Sequence, residues 1–203
     1  GYVHASEDAV TDFVETLTIL NEFIQQGKIR YIGISNETPW GVMQYLRTAE
    51  KYNLPKIVTI QNPYNLVNRV YEIGLAEIGE REKIGLLAYS PLAGGLLSDK
   101  YLGGKRPGGA RFTLWPNYFG RYAHPNTMKA VERYAVLAKA HNLSLAQMSL
   151  AYVNTRTFLT SNIIGATNMQ QLTENIDSID VTLSEEVMKE IQKIHLEFPN
   201  PAP

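Results

Sequence analysis

Cysteine is missing from all 203 residues, which excludes disulfides, thiol nucleophiles and thiolate metal sites together and says nothing about compartment. An excess of charge is missing too. Nineteen Lys plus Arg stand against twenty Asp plus Glu, a net charge of -1, so no global field draws the chain toward nucleic acid or anionic membrane. Histidine is scarce: His4, His124, His141 and His195 are far apart, and no HExxH spacing offers a ligand cluster. Nowhere do about 18 apolar residues run together, and no basic segment followed by an apolar one opens the chain. A cytoplasmic setting is therefore expected. Neither GxGxxG nor GxxxxGK[ST] occurs, which removes the Rossmann fingerprint and the P-loop. Gly33-Ile34-Ser35 lacks the second glycine of a nucleophile elbow. The first residue is glycine rather than methionine, so a fragment of a longer protein is expected.

What is present is a globular composition, 44% hydrophobic and 19% charged, able to bury a core. Val10, Phe13, Leu17, Leu20 and Ile24 recur at helical spacing and predict a helix over 9–26, stopped by Gly27. Ile29 to Ser35 reads as a strand, and Thr38 as N-cap with Pro39 at the first helical position opens a helix to Tyr52. The pattern then repeats, with a strand over 56–61, a helix over 71–83 and a strand over 84–90. A period of one strand, one helix and two loops predicts βαβ units in a parallel sheet. Residues 94–125, with three glycine pairs and no periodicity, predict a long irregular loop. Helices resume over 126–141 and from Ser144 to Thr155. A last short strand is expected over 162–165, then a helix capped at Thr167 and a terminal helix capped at Ser184.

Ligands of parallel α/β proteins lie at the carboxyl ends of the strands. Here those ends are Ser35-Asn36, Gln61-Asn62, Tyr89-Ser90-Pro91 and Gly165-Ala166-Thr167. Each passes from apolar strand to a hydrogen-bonding residue or glycine, which fits either a ligand rim or the ordinary start of a loop. From Lys100 to Val131 there is no acidic residue, while Lys100, Lys105, Arg106, Arg111, Arg121 and Lys129 supply six cations. Such a stretch is either a solvated loop or a binder of phosphate. Its interleaved aromatics fit packing better than single-stranded nucleic acid. The capped helix start after Gly165 presents backbone amides and a dipole to an anion, again beside the plainer reading of an ordinary cap.

Four ordered motifs resemble the aldo-keto reductases, the Tas-type proteins in particular. They are Gly27-Lys28-Ile29-Arg30-Tyr31-Ile32-Gly33-Ile34-Ser35-Asn36; Gln61-Asn62-Pro63-Tyr64-Asn65; Tyr89-Ser90-Pro91-Leu92-Ala93-Gly94-Gly95; and Ile164-Gly165-Ala166-Thr167 with Gln171 and Asn175. The chain is also similar to the reductase-fold β subunits of voltage-gated potassium channels. The resemblance implies a (β/α)8 TIM barrel that binds NADPH, of which residues 1–203 form the carboxyl-terminal portion with strands five to eight. By position, Ser35, Asn36 and Gln61 would hold the nicotinamide carboxamide and Tyr89 would stack on its ring. Ser90, Pro91, Leu92, Ala93 and Gly94 would line the pyrophosphate, and Lys100 and Arg111 would meet the 2'-phosphate, with Arg106 as a substitute for Arg111. Gly165, Thr167, Gln171, Glu174 and Asn175 would surround the adenosine end.

The family's catalytic Asp, Tyr, Lys and His find no counterpart in this chain, and His4, outside any apolar strand, does not fill the acid's place. The implied function is NADPH-dependent reduction of aldehyde or ketone carbonyls, with this chain alone inactive. The alternative is a non-catalytic NADPH-binding regulatory subunit of the channel type. The implied partner is a small carbonyl substrate, with neither nucleic acid nor membrane.

Overall fold

The computed structural model describes residues 12–203, so the beginning of the expected first helix and His4 lie outside the described residues. The chain divides after Ile60 into two compact units.

In the first unit, Asp12 caps helix α1 (Phe13–Gln25), its side chain accepting from the Val14 amide at 2.8 Å. Strand β1 (Ile32–Ser35) follows. Helix α2 (Pro39–Tyr52) then begins where the Thr-Pro pair predicts, with the Thr38 hydroxyl accepting from the Gly41 amide at 3.1 Å. Pro39 needs no amide partner in the first turn, and Thr38 satisfies one of the donors the helix leaves open. Leu17 is fully buried, and Phe13 meets Tyr45 edge-on with centroids 4.8 Å apart. Val42, Leu46 and Ala49 of α2 are buried, as are Ile32, Ile57 and Ile60 of the strands.

Strand β2 (Ile57–Pro63) runs through the division. In the second unit follow a short 3-10 turn at Val70–Glu72, helix α3 (Leu75–Glu82) and strand β3 (Gly85–Tyr89). The single helix expected over 71–83 is thus broken in two. Gly74 sits at φ +90° between the pieces, a backbone angle that ends a helical run and that side-chain-bearing residues rarely adopt.

The stretch expected to be irregular carries short 3-10 turns and one four-residue helix, α4 (Arg111–Leu114), around the buried ring of Phe112. Helices α5 (Pro125–Ala140) and α6 (Leu145–Asn154) follow. Strand β4 is Leu159–Asn162, three residues before the expected position. Helices α7 (Met169–Asp177) and α8 (Glu185–Glu197) close the order.

The strands lie in the order β1-β2-β3-β4, and β3 pairs in parallel with β4, Ala88 opposite Asn162. Sequential order with helices between the strands fits part of a (β/α) barrel, whereas a doubly wound sheet reverses direction at a switch point. The sheet places Leu86 and Ala88 of β3 in the core with Tyr64, Leu96, Tyr134, Met148, Leu150 and Val153. Helix α6 is buried along nearly its whole length, which is why its sequence is apolar all round. The early β4 has a physical reason. Its polar Thr160 and Ser161 are exposed, and the apolar Ile163-Ile164 that suggested the strand lies just past the ladder, where the Ile163 amide still donates to the Ala88 carbonyl at 2.8 Å.

Candidate cofactor site

Two strand ends meet in the second unit. The pairing of β3 with β4 sets Tyr89 and Ser90 beside the segment that leads to Gly165. Directly after β3 the backbone turns sharply. Ser90 has φ +53°, Ala93 +50°, Gly94 +68° and Gly95 +101°, so four of six consecutive residues are left-handed. The Ser90 carbonyl accepts from the Ala93 amide at 2.8 Å, and the Leu92 carbonyl accepts from the Gly95 amide at 2.8 Å and the Leu97 amide at 3.2 Å. The turn is therefore closed by its own backbone.

Lys100 lies against this turn. A Cβ placed on Gly95 would stand 2.8 Å from Lys100 Cε and 2.9 Å from its Nζ, so glycine is what lets the ammonium reach the backbone. Burial, and then the neighbouring Arg111 charge, hold the Lys100 ammonium below the usual lysine range. Arg111 opens α4, whose Phe112 amide donates to the buried Tyr101 hydroxyl at 3.1 Å. Phe112 packs on Tyr101 and on Tyr122, with centroids 5.3 and 5.4 Å away. Tyr122 is pushed above the ordinary tyrosine range first by burial, with Arg121 and Arg111 opposing and Tyr89 adding to it. Two cations in mutual repulsion beside a glycine turn make an anion-accepting arrangement, because a bound dianion relieves a cost the free protein carries. Arg106, the substitute considered for Arg111, directs its guanidinium to the Phe112 carbonyl at 3.4 Å.

After β4, Asn168 rather than Thr167 caps α7, accepting from the Gln171 amide at 2.9 Å. Gln171 in turn accepts from both the amide and the hydroxyl of Thr167 at 3.0 Å, so the cap lies one residue later than expected and the Gln171 side chain reaches back past it to Thr167. Asn175, only 5% exposed, donates to the Gly165 carbonyl at 3.1 Å. This fixes the turn from strand to helix. Glu174 accepts from the Ser144 hydroxyl at 2.5 Å, and Ser144 also caps α6 by accepting from the Gln147 amide at 3.0 Å.

Gln61 stands exposed on β2 in this unit. In the first unit, Ser35 ends β1 and Asn36 follows at φ +56°, its amide donating to the Ser35 hydroxyl at 3.1 Å. Asparagine tolerates that angle better than most residues.

Sequence reasoning missed the support beneath β3. Tyr64 is fully buried and donates to Glu72 Oε1 at 2.5 Å, while Arg69 grips the same carboxylate through Nε at 2.8 Å and a second nitrogen at 2.7 Å. Arg69 also donates to Gln192 on α8 at 3.0 Å, and its amide donates to Asn200 at 2.6 Å. Burial alone would raise the Glu72 carboxyl, but the bonds from Arg69 and Tyr64 outweigh it and hold the group below the ordinary carboxylate range. The one available signal was an opposite-charge pair three residues apart, Arg69 and Glu72.

A separate cavity of about 550 Å³ lies among Leu102, Ala135, Val136, Leu143 and Leu145. None of the strand-end residues lines it. Among the described residues no helix is long and apolar enough to cross a membrane.

A model of the Aldo/keto reductase family matches residues 2–196. The chain is 49% identical over 203 residues to Protein tas of Escherichia coli (strain K12), covering 100% of this chain and 58% of that protein. It is 34% identical over 194 residues to an aldo-keto reductase of Babesia bovis, 92% of this chain and 68% of the relative. It is 30% identical over 192 residues to a probable voltage-gated potassium channel subunit beta of Oryza sativa subsp. japonica, 92% of this chain and 58% of the relative. The chain thus spans between about half and two thirds of the length of these relatives.

Proposed function

The chain belongs to the aldo/keto reductase family of oxidoreductases, and we propose that the protein carrying it reduces aldehyde or ketone carbonyls with NADPH, residues 1–203 forming the carboxyl-terminal portion of the reductase domain. Strands β1 to β4 would be the fifth to eighth of a (β/α)8 barrel. The observation that carries the cofactor reading is the Lys100 ammonium packed on the Gly95 backbone and opposed by Arg111. The mutual repulsion of these cations, next to a turn of left-handed residues, fits a ligand with several phosphates.

In this reading Ser35, Asn36 and Gln61 hold the nicotinamide carboxamide, since side-chain amides offer donors and an acceptor together. The Tyr89 ring packs on the nicotinamide. Ser90, Pro91, Leu92, Ala93 and Gly94 face the pyrophosphate, Lys100 and Arg111 hold the 2'-phosphate, and Gly165, Thr167, Gln171, Glu174 and Asn175 receive the adenosine end. NADPH supplies hydride to the carbonyl when bound. In this reading none of residues 1–203 is the proton donor, and this chain by itself does not turn over. The setting is cytoplasmic and the substrate a small carbonyl compound.

Similarity to a probable channel β subunit favours a second reading, a regulatory subunit that binds NADPH without turnover. NADPH fluorescence titration and a carbonyl-reduction assay on the protein at full length separate the two. Saturable binding with turnover supports the reductase. Binding without turnover supports the regulatory subunit, and absence of saturable binding defeats both.

A further inference from the structure

Ser90 holds φ +53° without being glycine, a conformation that an L residue leaves when nothing keeps it there. What keeps it there comes from another part of the chain. The Asn65 side-chain amide donates to the Ser90 carbonyl at 3.0 Å across 25 residues. Asn65 is 1% exposed, and its other side-chain atom is committed as well, the oxygen accepting from the Val67 amide at 3.0 Å. Its backbone pairs twice with Asn68, amide to carbonyl at 3.0 and 3.1 Å. The 65–68 turn is itself pinned from outside, by the Tyr134 hydroxyl on the Leu66 carbonyl at 3.2 Å and the Ala202 amide on the Val67 carbonyl at 3.1 Å.

We propose that Asn65 is a positioning residue for cofactor binding: its buried side-chain amide holds Ser90 left-handed and so sets the backbone turn from Ser90 to Gly94. This rests on the reading of that turn as the pyrophosphate contact. Asn65 touches no ligand; it acts through the Ser90 carbonyl. That carbonyl accepts two donors at once, Asn65 Nδ2 and the Ala93 amide. Losing the first leaves one backbone bond to hold a disfavoured angle.

Ser90→Gly separates this role from general support, because glycine takes φ +53° with no steric cost. The test uses the protein at full length and two measurements. Hydrogen exchange at the Ala93 amide reads the turn, with the Leu150 amide of α6 as an internal control. NADPH affinity reads the consequence.

Asn65→Ala is expected to speed Ala93 exchange about tenfold, the worth of one buried hydrogen bond, with Leu150 unchanged, and to weaken NADPH by a similar factor. Placed on Ser90→Gly, the same substitution is expected to cost less than about threefold in NADPH affinity, since the strain Asn65 opposes is then gone. Unaltered Ala93 exchange, or an equal loss of affinity in both backgrounds, overturns the proposal. Should Asn65→Ala fail to fold, Asn65→Leu keeps the volume without the donor and is judged by the same results. The exchange measurement needs no cofactor. If the unsubstituted protein takes up no NADPH, the cofactor reading falls, and Ala93 exchange alone decides whether Asn65 holds the turn.

Discussion

The turn at 64–72 and the loop at 99–122 flank the same strand end and solve opposite problems. In the first, charge is closed on itself: the Arg69 guanidinium, with its side chain 7% exposed, spends its donors on Glu72 and Gln192. In the second, charge is left open: Lys100 and Arg111 oppose each other, and no acidic residue occurs from 100 to 131. A buried charge such as Arg69 is costly without a partner, and the chain supplies one, whereas Lys100 is only half-buried, over the Tyr101 ring, and Arg111 is exposed. The closed region stabilises the chain, and the open one is where the proposed cofactor reading can be tested.

The sharpest break in that comparison is Arg69→Met. It leaves the half-buried Glu72 carboxylate with only the Tyr64 hydroxyl as a donor, and removing one member of a buried pair costs about 3 kcal/mol or more. Urea unfolding measures it, and a loss below about 1 kcal/mol would put Arg69 among ordinary surface charges. Lys100→Ala should do the reverse. Melting should hold steady or rise, because one of two like charges is gone. NADPH should weaken about tenfold or more, the scale of a lost charge-assisted bond, with NADH affected less than about threefold. Equal losses for the two cofactors would remove Lys100 from the 2'-phosphate.

Acid should act on the closed region in two stages. Burial, then the Arg69 charge, with Glu72 opposing, hold His195 on α8 below its ordinary 6.5. The folded state therefore resists protonating it, and stability falls as pH drops below 6.5. Glu72 is also held low, against an ordinary 4.5. Its contribution is present above that pH and is lost as pH falls through the lower folded value. His195→Gln should flatten the first decline and leave the second, and Glu72→Gln should flatten the second. Melting temperatures between pH 7 and 3 check both.

The alternation of strand and helix was legible because β1, β2 and β3 are apolar runs, each followed by a capped or periodic helix. The caps at Thr38, Ser144 and Ser184 were legible for the same reason: a hydroxyl before a helical pattern has one local job. Strand β4 was not, since its Thr160 and Ser161 are polar and its place comes from pairing with β3, a tertiary fact. The Gly74 break was hidden in a sequence that otherwise reads as helix. At the site, the glycines and cations of the loop were visible, whereas Asn65 was visible only as the end of a motif, with nothing to name Ser90, 25 residues away, as its partner. Long-range hydrogen bonds leave no periodicity to read.

Glu174 sharpens the comparison at its small end. It is proposed for the adenosine end, and its carboxylate also accepts from Ser144, which ties it to the chain as well. Ser144→Ala removes both the α6 cap and that donor, and should cost about 1 kcal/mol by thermal unfolding, the usual worth of an N-cap. NADPH affinity should shift less than about threefold, because Glu174 keeps its own carboxylate for the adenosine end when the Ser144 hydroxyl is gone. A larger shift in affinity than in stability would make Ser144 the residue that holds Glu174 in place for the cofactor.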